Sequence, residues 1–266
     1  MSPLSQPLIT LLSSLTARSE TAPCLRAAGV VITDGAWGTQ LQARGLPPGT
    51  CPDTWNLSHP DLVEQVPRAY VEAGSRIVLT NTFRANRLAL ADHGVTDSVE
   101  AINRAGVEIS RRATGGRALV VETMADLDEA RIAVVAAKAT GLPVVACMVF
   151  DSGADQDRTM MGTTPEDAAR ALEAAGADVI GANCGQGIEG YVGICRRLVN
   201  ATDRPVWIKA NAGVPTLVDG EAVYATSPAQ FASASRAVVD AGARFIGGCC
   251  GTTPEFIRAL AREIGS

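Results

Sequence analysis

The sequence predicts an α/β fold of the (β/α)-barrel type, and three observations lead to that prediction. Short β-branched apolar runs alternate with longer amphipathic helical patterns along the chain. The apolar runs are continuous, which is typical of strands buried on both faces of a parallel sheet. Polar residues follow the ends of these runs, where barrels of this type carry their active sites. A chain of 266 residues is also long enough to form one large core.

Seven segments are predicted to be strands, whereas a complete barrel of this type has eight. In chain order they are residues 30–35, 76–83, 118–124, 143–150, 178–185, 205–213 and 244–251. The stretch from Ala85 to Gly116 has two helical patterns, NRLALADHG and DSVEAINRAGVEISRRATGG, with no strand between them.

Amphipathic helices are predicted between the strands. The clearest are residues 60–74, 164–176 and 227–242, each of which ends at a glycine. Two of them begin with Thr-Pro or Ser-Pro, the pattern of an N-cap followed by proline at the first helical position. Residues 1–28 contain LITLLSSLTAR and are predicted to be an N-terminal extension with a helix on the outside or bottom of a single barrel domain at 29–266.

Composition and charge exclude several classes of function. The net charge of −5 gives no basic field for nucleic acid or an anionic membrane. No apolar run approaches the length of a membrane span, and the first thirty residues lack the pattern of a secretion signal. Seven cysteines, an odd number in a chain of this size, indicate a reduced, cytoplasmic protein. Two histidines leave sulfur and oxygen as the main ligands for any metal.

Three cysteines follow predicted strands. Cys184 lies in NCGQG, and Cys249 and Cys250 lie in GGCCGTT. The glycines let the backbone leave strand geometry, so that adjacent thiols can turn towards one point. Three thiolates suit zinc and leave its fourth position open, as in catalytic sites. Such a zinc ion activates water poorly but keeps a substrate thiolate electron-rich, which favours alkyl transfer to sulfur.

Other interpretations of these residues stay open at this level. A redox pair at Cys249 and Cys250 is one of them. A phosphate site at the glycines near the last strand, as in barrel aldolases or isomerases, is another, although such a loop needs backbone N–H groups rather than thiols. The remaining cysteines are interpreted as core residues: Cys24, Cys51, Cys147 and Cys195.

Six motifs resemble, in chain order, those of the homocysteine S-methyltransferase family. They are DGAWGTQLQARG (34–45), TNTFRANR (80–87), ETMADLDEA (122–130), GANCGQG (181–187), KANAG (209–213) and GGCCGTTPEFI (247–257). The similarity extends from about Gly29 onward, and the combination of NC with GGCCGT is highly specific. Members of this family are zinc-bearing (β/α)8 barrels, so the resemblance implies methyl transfer to the sulfur of homocysteine, which gives methionine.

The resemblance also implies roles for the matching residues. Cys184, Cys249 and Cys250 match the zinc ligands, and Glu122 matches the carboxylate that holds the substrate ammonium group. These four residues are therefore expected to carry catalysis. The other matches are expected to receive the amino-acid end of the substrate or to orient ligands: Asp34, Gly35, Ala36, Trp37, Asn183 and Asn211.

The methyl donor is left open by the resemblance. It is methyltetrahydrofolate or methylcobalamin, presented by a separate corrinoid protein, or a small molecule such as S-methylmethionine or betaine. FRANR and residues 158–168 are closer to the methionine-synthase branch than to the betaine enzymes.

One departure from the family pattern concerns the barrel itself. In the family a further strand and helix precede the strand at 118–124, so the third βα unit is missing here. Either the barrel closes with fewer strands, or it stays open and something else covers the exposed strand edges. An exposed sheet edge is an association hazard, so one hypothesis for the second case is that a partner chain, such as a second copy in a homo-oligomer, covers it. The missing unit is expected to affect donor binding and thereby to alter activity. The alternative function is that of a degenerate member that serves as a zinc-containing binding or assembly subunit without turnover.

Overall fold

The computed structural model describes residues 29–114, 119–218 and 221–265. Within these ranges the α/β class is confirmed, because six parallel strands form one sheet with helices packed against it. The predicted N-terminal extension, residues 1–28, lies outside the described residues. Among the helices that are described, none is long and apolar enough to cross a membrane.

The described chain contains the following strands. They are β1 (Val31–Ile32), β2 (Leu119–Met124), β3 (Val144–Met148), β4 (Val179–Gly187), β5 (Val206–Asn211), β6 (Thr216–Val218), β7 (Glu221–Val223) and β8 (Ala243–Gly248). The main sheet has the order β1-β8-β5-β4-β3-β2, and every pair in it is parallel. Six of the seven predicted strands are thus confirmed. Strands β6 and β7 form a separate antiparallel hairpin that was not predicted.

The helices lie between these strands, as the pattern predicts. They are α1 (Gly38–Gln42), α2 (Trp55–Ser58), α3 (Pro60–Glu72), α4 (Arg87–Ala91), α5 (Val99–Thr114), α6 (Leu127–Lys138), α7 (Pro165–Ala174), α8 (Tyr191–Ala201), α9 (Pro228–Asp240) and α10 (Pro254–Ile264). The three clearest predictions correspond to α3, α7 and α9. The glycine that follows each of them has a positive φ: Gly74, Gly176 and Gly242. Glycine adopts this left-handed backbone without strain, so it ends the helix and directs the chain into the next strand.

The prediction of a regular strand at 76–83 is wrong. Only Ile77 forms a bridge, to Thr33, and the N–H of Arg76 donates to the carbonyl of Ile32. Further along, the N–H of Leu79 donates to the side chain of Asp34 at 2.7 Å. A strand needs a ladder of backbone partners, and the described residues supply this segment with such partners only beside β1.

The inner face of the curved sheet is buried by side chains of the sheet itself and of the segment beside β1. One apolar cluster contains only residues of the sheet and of the segment beside β1: Val31, Ile77, Val120, Val145, Cys147, Val179, Trp207 and Phe245. The residues at its centre are at most 2% exposed although no helix contributes to the cluster. The curvature of the sheet therefore excludes water from this face, while the opposite face packs beneath the helices.

The curved sheet has one open side, which lies between residues 76–80 and β2. Residues 120–124 of β2 are half-buried, whereas all five residues of β3 are buried. In the described part of the chain no ladder joins β2 to residues 76–80. This is the position at which the sequence predicts a missing unit.

Substitution of Gly181 by alanine is expected to destabilise the sheet beneath the site. A Cβ at this position would overlap the backbone carbonyl of Trp207 on β5, and overpacking of this kind costs about 1–3 kcal/mol. Urea unfolding should therefore show a lower free energy of unfolding for Gly181→Ala.

The matched control for this substitution is Gly193→Ala in α8. A Cβ there meets no atom within 4 Å, and alanine favours a helix interior over glycine by about 0.5–1 kcal/mol. Equal or higher stability of Gly181→Ala relative to the unmodified chain would contradict the packing described for β4 and β5.

Candidate functional site

Three cysteine sulfurs meet at the carboxyl ends of β4 and β8. The Sγ atoms of Cys184, Cys249 and Cys250 all lie within 4.8 Å of one another, and those of Cys184 and Cys250 are 3.8 Å apart. A tetrahedral zinc ion with Zn–S bonds of about 2.3 Å spaces its sulfur ligands by about 3.8 Å. The donor set and its spacing therefore both fit zinc.

The backbone of Cys184 explains why its thiol turns towards the other two. Cys184 has a φ of 66° and Gly185 a φ of 65°, so two consecutive left-handed residues break the alternation of β4. The phenol of Tyr191 donates a hydrogen bond of 2.6 Å to the carbonyl of Cys184. This bond offsets part of the strain that a left-handed cysteine carries.

Backbone contacts with β5 hold the adjacent cysteines. The N–H of Cys249 donates to the carbonyl of Ala210 at 2.7 Å, and the N–H of Cys250 donates to Asn211 Oδ1 at 3.0 Å. Gly251 then adopts a positive φ of 79°, and a Cβ there would overlap the ring of Tyr224. The glycine thus permits both the turn and the close approach of the tyrosine.

The same hydrogen bonds argue against a phosphate cradle at this turn. Besides the two cysteine N–H groups, Gly248 donates to the carbonyl of Asp34 and Thr252 donates to the carbonyl of Cys249. A phosphate loop presents free backbone N–H groups to its ligand. Here four such groups are donated within the protein.

The three thiols also perturb one another. Hydrogen bonds from Cys249 and then from Cys250 lower the pKa of Cys184. The pKa values of Cys249 and Cys250 are raised, in each case first by the hydrogen bond to Cys184. The three thiols therefore oppose the ionisation of all three sulfurs at once. A cation is needed to hold all three sulfurs as thiolates, which is the state that binds a metal.

Glu122 lies near the end of β2 on the inner face of the sheet, two residues beyond Val120. Its Oε2 atom is buried and has no hydrogen-bond partner among the described residues. Burial raises the pKa of Glu122, and the positive charge of Lys209 opposes this effect. A buried carboxylate oxygen without a partner is costly, so Glu122 is suited to receive a cationic or hydrogen-bonding ligand.

Asp34 is completely buried and makes its contacts within the protein. Its Oδ1 atom is 2.6 Å from Lys209 Nζ, and Lys209 is itself 1% exposed. Its Oδ2 atom accepts hydrogen bonds from Trp37 Nε1 at 2.9 Å and from Leu79 N at 2.7 Å. The carboxylate of Asp34 is therefore engaged on both oxygens.

The rest of the turn after β1 is packed tightly. The N–H of Ala36 donates to Thr252 Oγ1 at 3.1 Å, and the Tyr70 hydroxyl donates to the carbonyl of Ala36 at 2.6 Å. A Cβ on Gly35 would lie 2.7–2.8 Å from Thr252 and Tyr70. Only glycine fits between these side chains.

The two predicted asparagines hold other parts of the site. Asn183 accepts a hydrogen bond from the N–H of Thr123 at 2.8 Å and donates to its hydroxyl at 2.7 Å. Its Nδ2 atom is also 4.0 Å from Cys249 Sγ. Asn211 accepts from the N–H of Cys250, as described above. Asn183 thus aligns the residue next to Glu122, and Asn211 positions one of the sulfurs.

Sequence reasoning missed Lys209. Burial alone would lower the pKa of this lysine, but Asp34 and then Glu122 raise it above its ordinary value. The sequence contains a signal for it, since lysine occurs only at positions 138 and 209 among 23 basic residues, and position 209 lies inside an apolar strand. Tyr70, Tyr191 and Thr252 were also missed, and their roles depend on contacts distant in sequence.

Comparison with known proteins supports the resemblance. The family model described as homocysteine S-methyltransferase matches residues 31–119 and 113–264. Methionine synthase of Mycobacterium tuberculosis is 28% identical over 299 residues, which cover 89% of this chain and 25% of that protein. Betaine–homocysteine S-methyltransferase 1 of Danio rerio is 28% identical over 303 residues, which cover 91% of this chain and 74% of that protein.

A solved structure shares the fold. The homocysteine methyltransferase MmuM from Escherichia coli, in its metallated form, has a TM-score of 0.68 and 22% identity, and the match covers 90% of this chain and 97% of that one.

Chain lengths in these comparisons bear on the open side of the sheet. The alignments run over 299 and 303 residues, more than the 266 of this chain, so the relatives contain segments that this chain lacks. The two parts of the family match overlap at residues 113–119, a range that ends at the first residue of β2. This chain spans about a quarter of the length of the mycobacterial methionine synthase. The family match nevertheless extends over most of this sequence, and the chain belongs to the homocysteine S-methyltransferase family.

Proposed function

We propose that this chain is a zinc-dependent S-methyltransferase that methylates the thiol of homocysteine to give methionine. The observation that carries the proposal is the meeting of three cysteine sulfurs within 4.8 Å at the carboxyl ends of parallel strands. Cys184, Cys249 and Cys250 would hold the zinc ion. When bound, zinc supplies a position at which a substrate thiol loses its proton and remains a nucleophile.

The other groups of the site would bind and orient homocysteine. Glu122 offers a buried carboxylate oxygen to the substrate ammonium group. The turn from Asp34 to Trp37, fixed by its contacts with Tyr70 and Thr252, would receive the amino-acid end through its backbone. The substrate sulfur forms a bond to the methyl carbon while the bond between that carbon and the donor breaks. The electron pair of the broken bond leaves with the donor, and the thiol proton passes to solvent.

The donor and the partners are part of the proposal. Similarity to a betaine–homocysteine S-methyltransferase supports betaine as a candidate donor, with S-methylmethionine as a second small molecule. The resemblance of FRANR and residues 158–168 to the methionine-synthase branch leaves methyltetrahydrofolate or methylcobalamin, presented by a separate corrinoid protein, as the other candidate donors. A reduced compartment such as the cytoplasm suits three free thiols.

The open side of the sheet favours one second candidate. Residues 120–124 are half-buried at the edge of the sheet, and the relatives carry segments that this chain lacks. A non-catalytic, zinc-containing subunit whose partner chain covers this edge, in a homo-oligomer or a hetero-complex, is consistent with both observations.

An assay of methyl transfer separates the two candidates. Zinc-loaded protein is incubated with homocysteine and, in separate reactions, with S-methylmethionine, betaine, methyltetrahydrofolate or methylcobalamin, and methionine is quantified. We expect methionine with at least one donor. Bound zinc without product from any donor would favour the non-catalytic subunit.

Zinc content tests the metal site directly. Purified protein is expected to contain about one zinc per chain, and Cys184→Ala and Cys250→Ala are each expected to lose most of it, because a third thiolate completes the donor set. Elemental analysis measures the ratio of metal to protein.

Cys195→Ala is the matched control for these variants. Cys195 is a buried cysteine of α8 whose thiol donates to the carbonyl of Val238, so its loss should leave the zinc content unchanged. Full zinc retention by Cys250→Ala would show that the metal is held elsewhere in the protein.

Glu122→Gln tests the substrate carboxylate. This change keeps the shape of the side chain and removes its charge, so the dissociation constant for homocysteine should rise about 10- to 100-fold, the range for a lost hydrogen bond to a charged group. Calorimetric titration of zinc-loaded protein measures the affinity, and zinc content should not change. Glu129→Gln in α6 serves as an exposed control. Loss of zinc from Glu122→Gln in proportion to the loss of affinity would contradict the assigned role.

A further inference from the structure

Lys209 lies on the inner face of the sheet, two residues beyond Trp207 on β5, and is excluded from solvent. Its ammonium group is 2.6 Å from Asp34 Oδ1, and the partner carboxylate is equally buried. A buried charge is tolerated only when it is paired. The ion pair with Asp34 therefore determines where the ammonium group of Lys209 lies.

Glu122 faces the same interior as Lys209, and each of the two charges influences the pKa of the other. Val120 and Trp207 belong to one apolar cluster, and Glu122 and Lys209 each lie two residues further along the same faces of β2 and β5. Thr123, next to Glu122, is hydrogen-bonded to Asn183, and Asn183 is the register partner of Lys209. The three charged groups Asp34, Glu122 and Lys209 thus share one enclosed region.

Only one of the two carboxylates in this region is paired. Asp34 receives the lysine together with two N–H donors, whereas Glu122 Oε2 has no partner among the described residues. With the lysine committed to Asp34, the Glu122 carboxylate has no ion-pair partner among the described residues. A single ammonium group from a ligand would balance it.

We propose that Asp34 is a positioning residue that holds the ammonium group of Lys209 away from Glu122 and thereby reserves Glu122 for the ammonium group of the substrate. The inference rests on the proposed function, since it specifies how Glu122 is kept available for homocysteine. Asp34 acts here through Lys209 and does not contact the substrate with its side chain.

Asp34→Asn removes the charge that holds Lys209 but keeps an acceptor for Trp37 or Leu79. Lys209 is then drawn to the remaining carboxylate, Glu122, and the substrate loses its site. Homocysteine affinity of zinc-loaded protein should fall about 10- to 100-fold, as for Glu122→Gln, while zinc content is retained.

The double variant Asp34→Asn with Lys209→Met distinguishes this proposal from its alternatives. With the competing cation gone, Glu122 is available again, and affinity should return to within about threefold of the unmodified protein, a coupling expected between groups in contact. If Asp34 bound the substrate itself, or if the ion pair only supported the fold, the double variant would bind as weakly as Asp34→Asn or more weakly. That result would overturn the proposal.

A substrate analogue gives a ratio of affinities that a general loss of packing does not change. 4-Sulfanylbutanoate is homocysteine without its amino group, so the ratio of the two affinities reports on the ammonium site alone. The ratio should fall towards one in Asp34→Asn and remain at the original value in the double variant. Should Asp34→Asn not fold, the double variant, in which both buried charges are removed, still decides: a collapsed ratio there contradicts the proposal.

The ion pair of Lys138 with Asp178 provides a matched control. Its atoms are 2.8 Å apart, both side chains are 35% exposed, and the pair joins α6 to the residue before β4. Asp178→Asn, alone or with Lys138→Met, should leave homocysteine affinity and the ratio unchanged. A drop in affinity equal to that of Asp34→Asn would identify a non-specific effect of removing an ion pair and would overturn the proposal.

A crystal structure of Asp34→Asn separates this inference from the proposed function. We expect Lys209 Nζ within hydrogen-bonding distance of the Glu122 carboxylate; a lysine that remains at residue 34 refutes the inference even if homocysteine binds. Conversely, failure of the unmodified, zinc-loaded protein to bind homocysteine refutes the proposed function, and the position of Lys209 in the variant still decides whether Asp34 holds it.

Discussion

The carboxylate of Asp34 is the interaction on which the rim of the sheet depends. It joins Lys209 of β5, the N–H of Leu79 in the segment beside β1, and the indole of Trp37. Its backbone carbonyl accepts the N–H of Gly248, next to the cysteine pair. A buried charge must be saturated with donors to be tolerated, so one residue fixes the relative positions of three separate parts of the chain. The cysteine pair and the turn after β1 are both attached to this junction.

The sequence predicts most of the sheet and the sulfur cluster because both follow from local patterns and one general rule. Buried strands have continuous apolar runs, and parallel strands place their carboxyl ends on one rim. Cys184 and the pair at 249–250 were therefore expected to meet, although they are distant in sequence. The glycines around them were the local signal that the backbone could turn each thiol towards the others.

Residues 76–83 were predicted wrongly and the hairpin of β6 and β7 was not predicted, for different reasons. The first has the composition of a strand, but pairing depends on a neighbour that composition does not reveal. The hairpin did carry a signal, because Asp-Gly between TLV and EAV is typical of a tight two-residue turn. The partners of Asn183, Asn211 and Lys209 were not predictable either, since a polar side chain in a strand does not indicate which distant group completes its hydrogen bonds.

The two halves of the site differ in how they are anchored. Cys184 lies in the C-terminal half of β4 and the cysteine pair follows β8, and each of these strands is paired on both sides. Glu122 lies on β2, which ends the sheet and is paired with β3 alone. Local opening begins where backbone ladders and apolar contacts are fewest, and the carboxylate is carried by a strand at the edge of the sheet whereas the sulfurs are carried by strands paired on both sides. Brief fraying of β2 would therefore displace the Glu122 carboxylate while the sulfur cluster stays assembled.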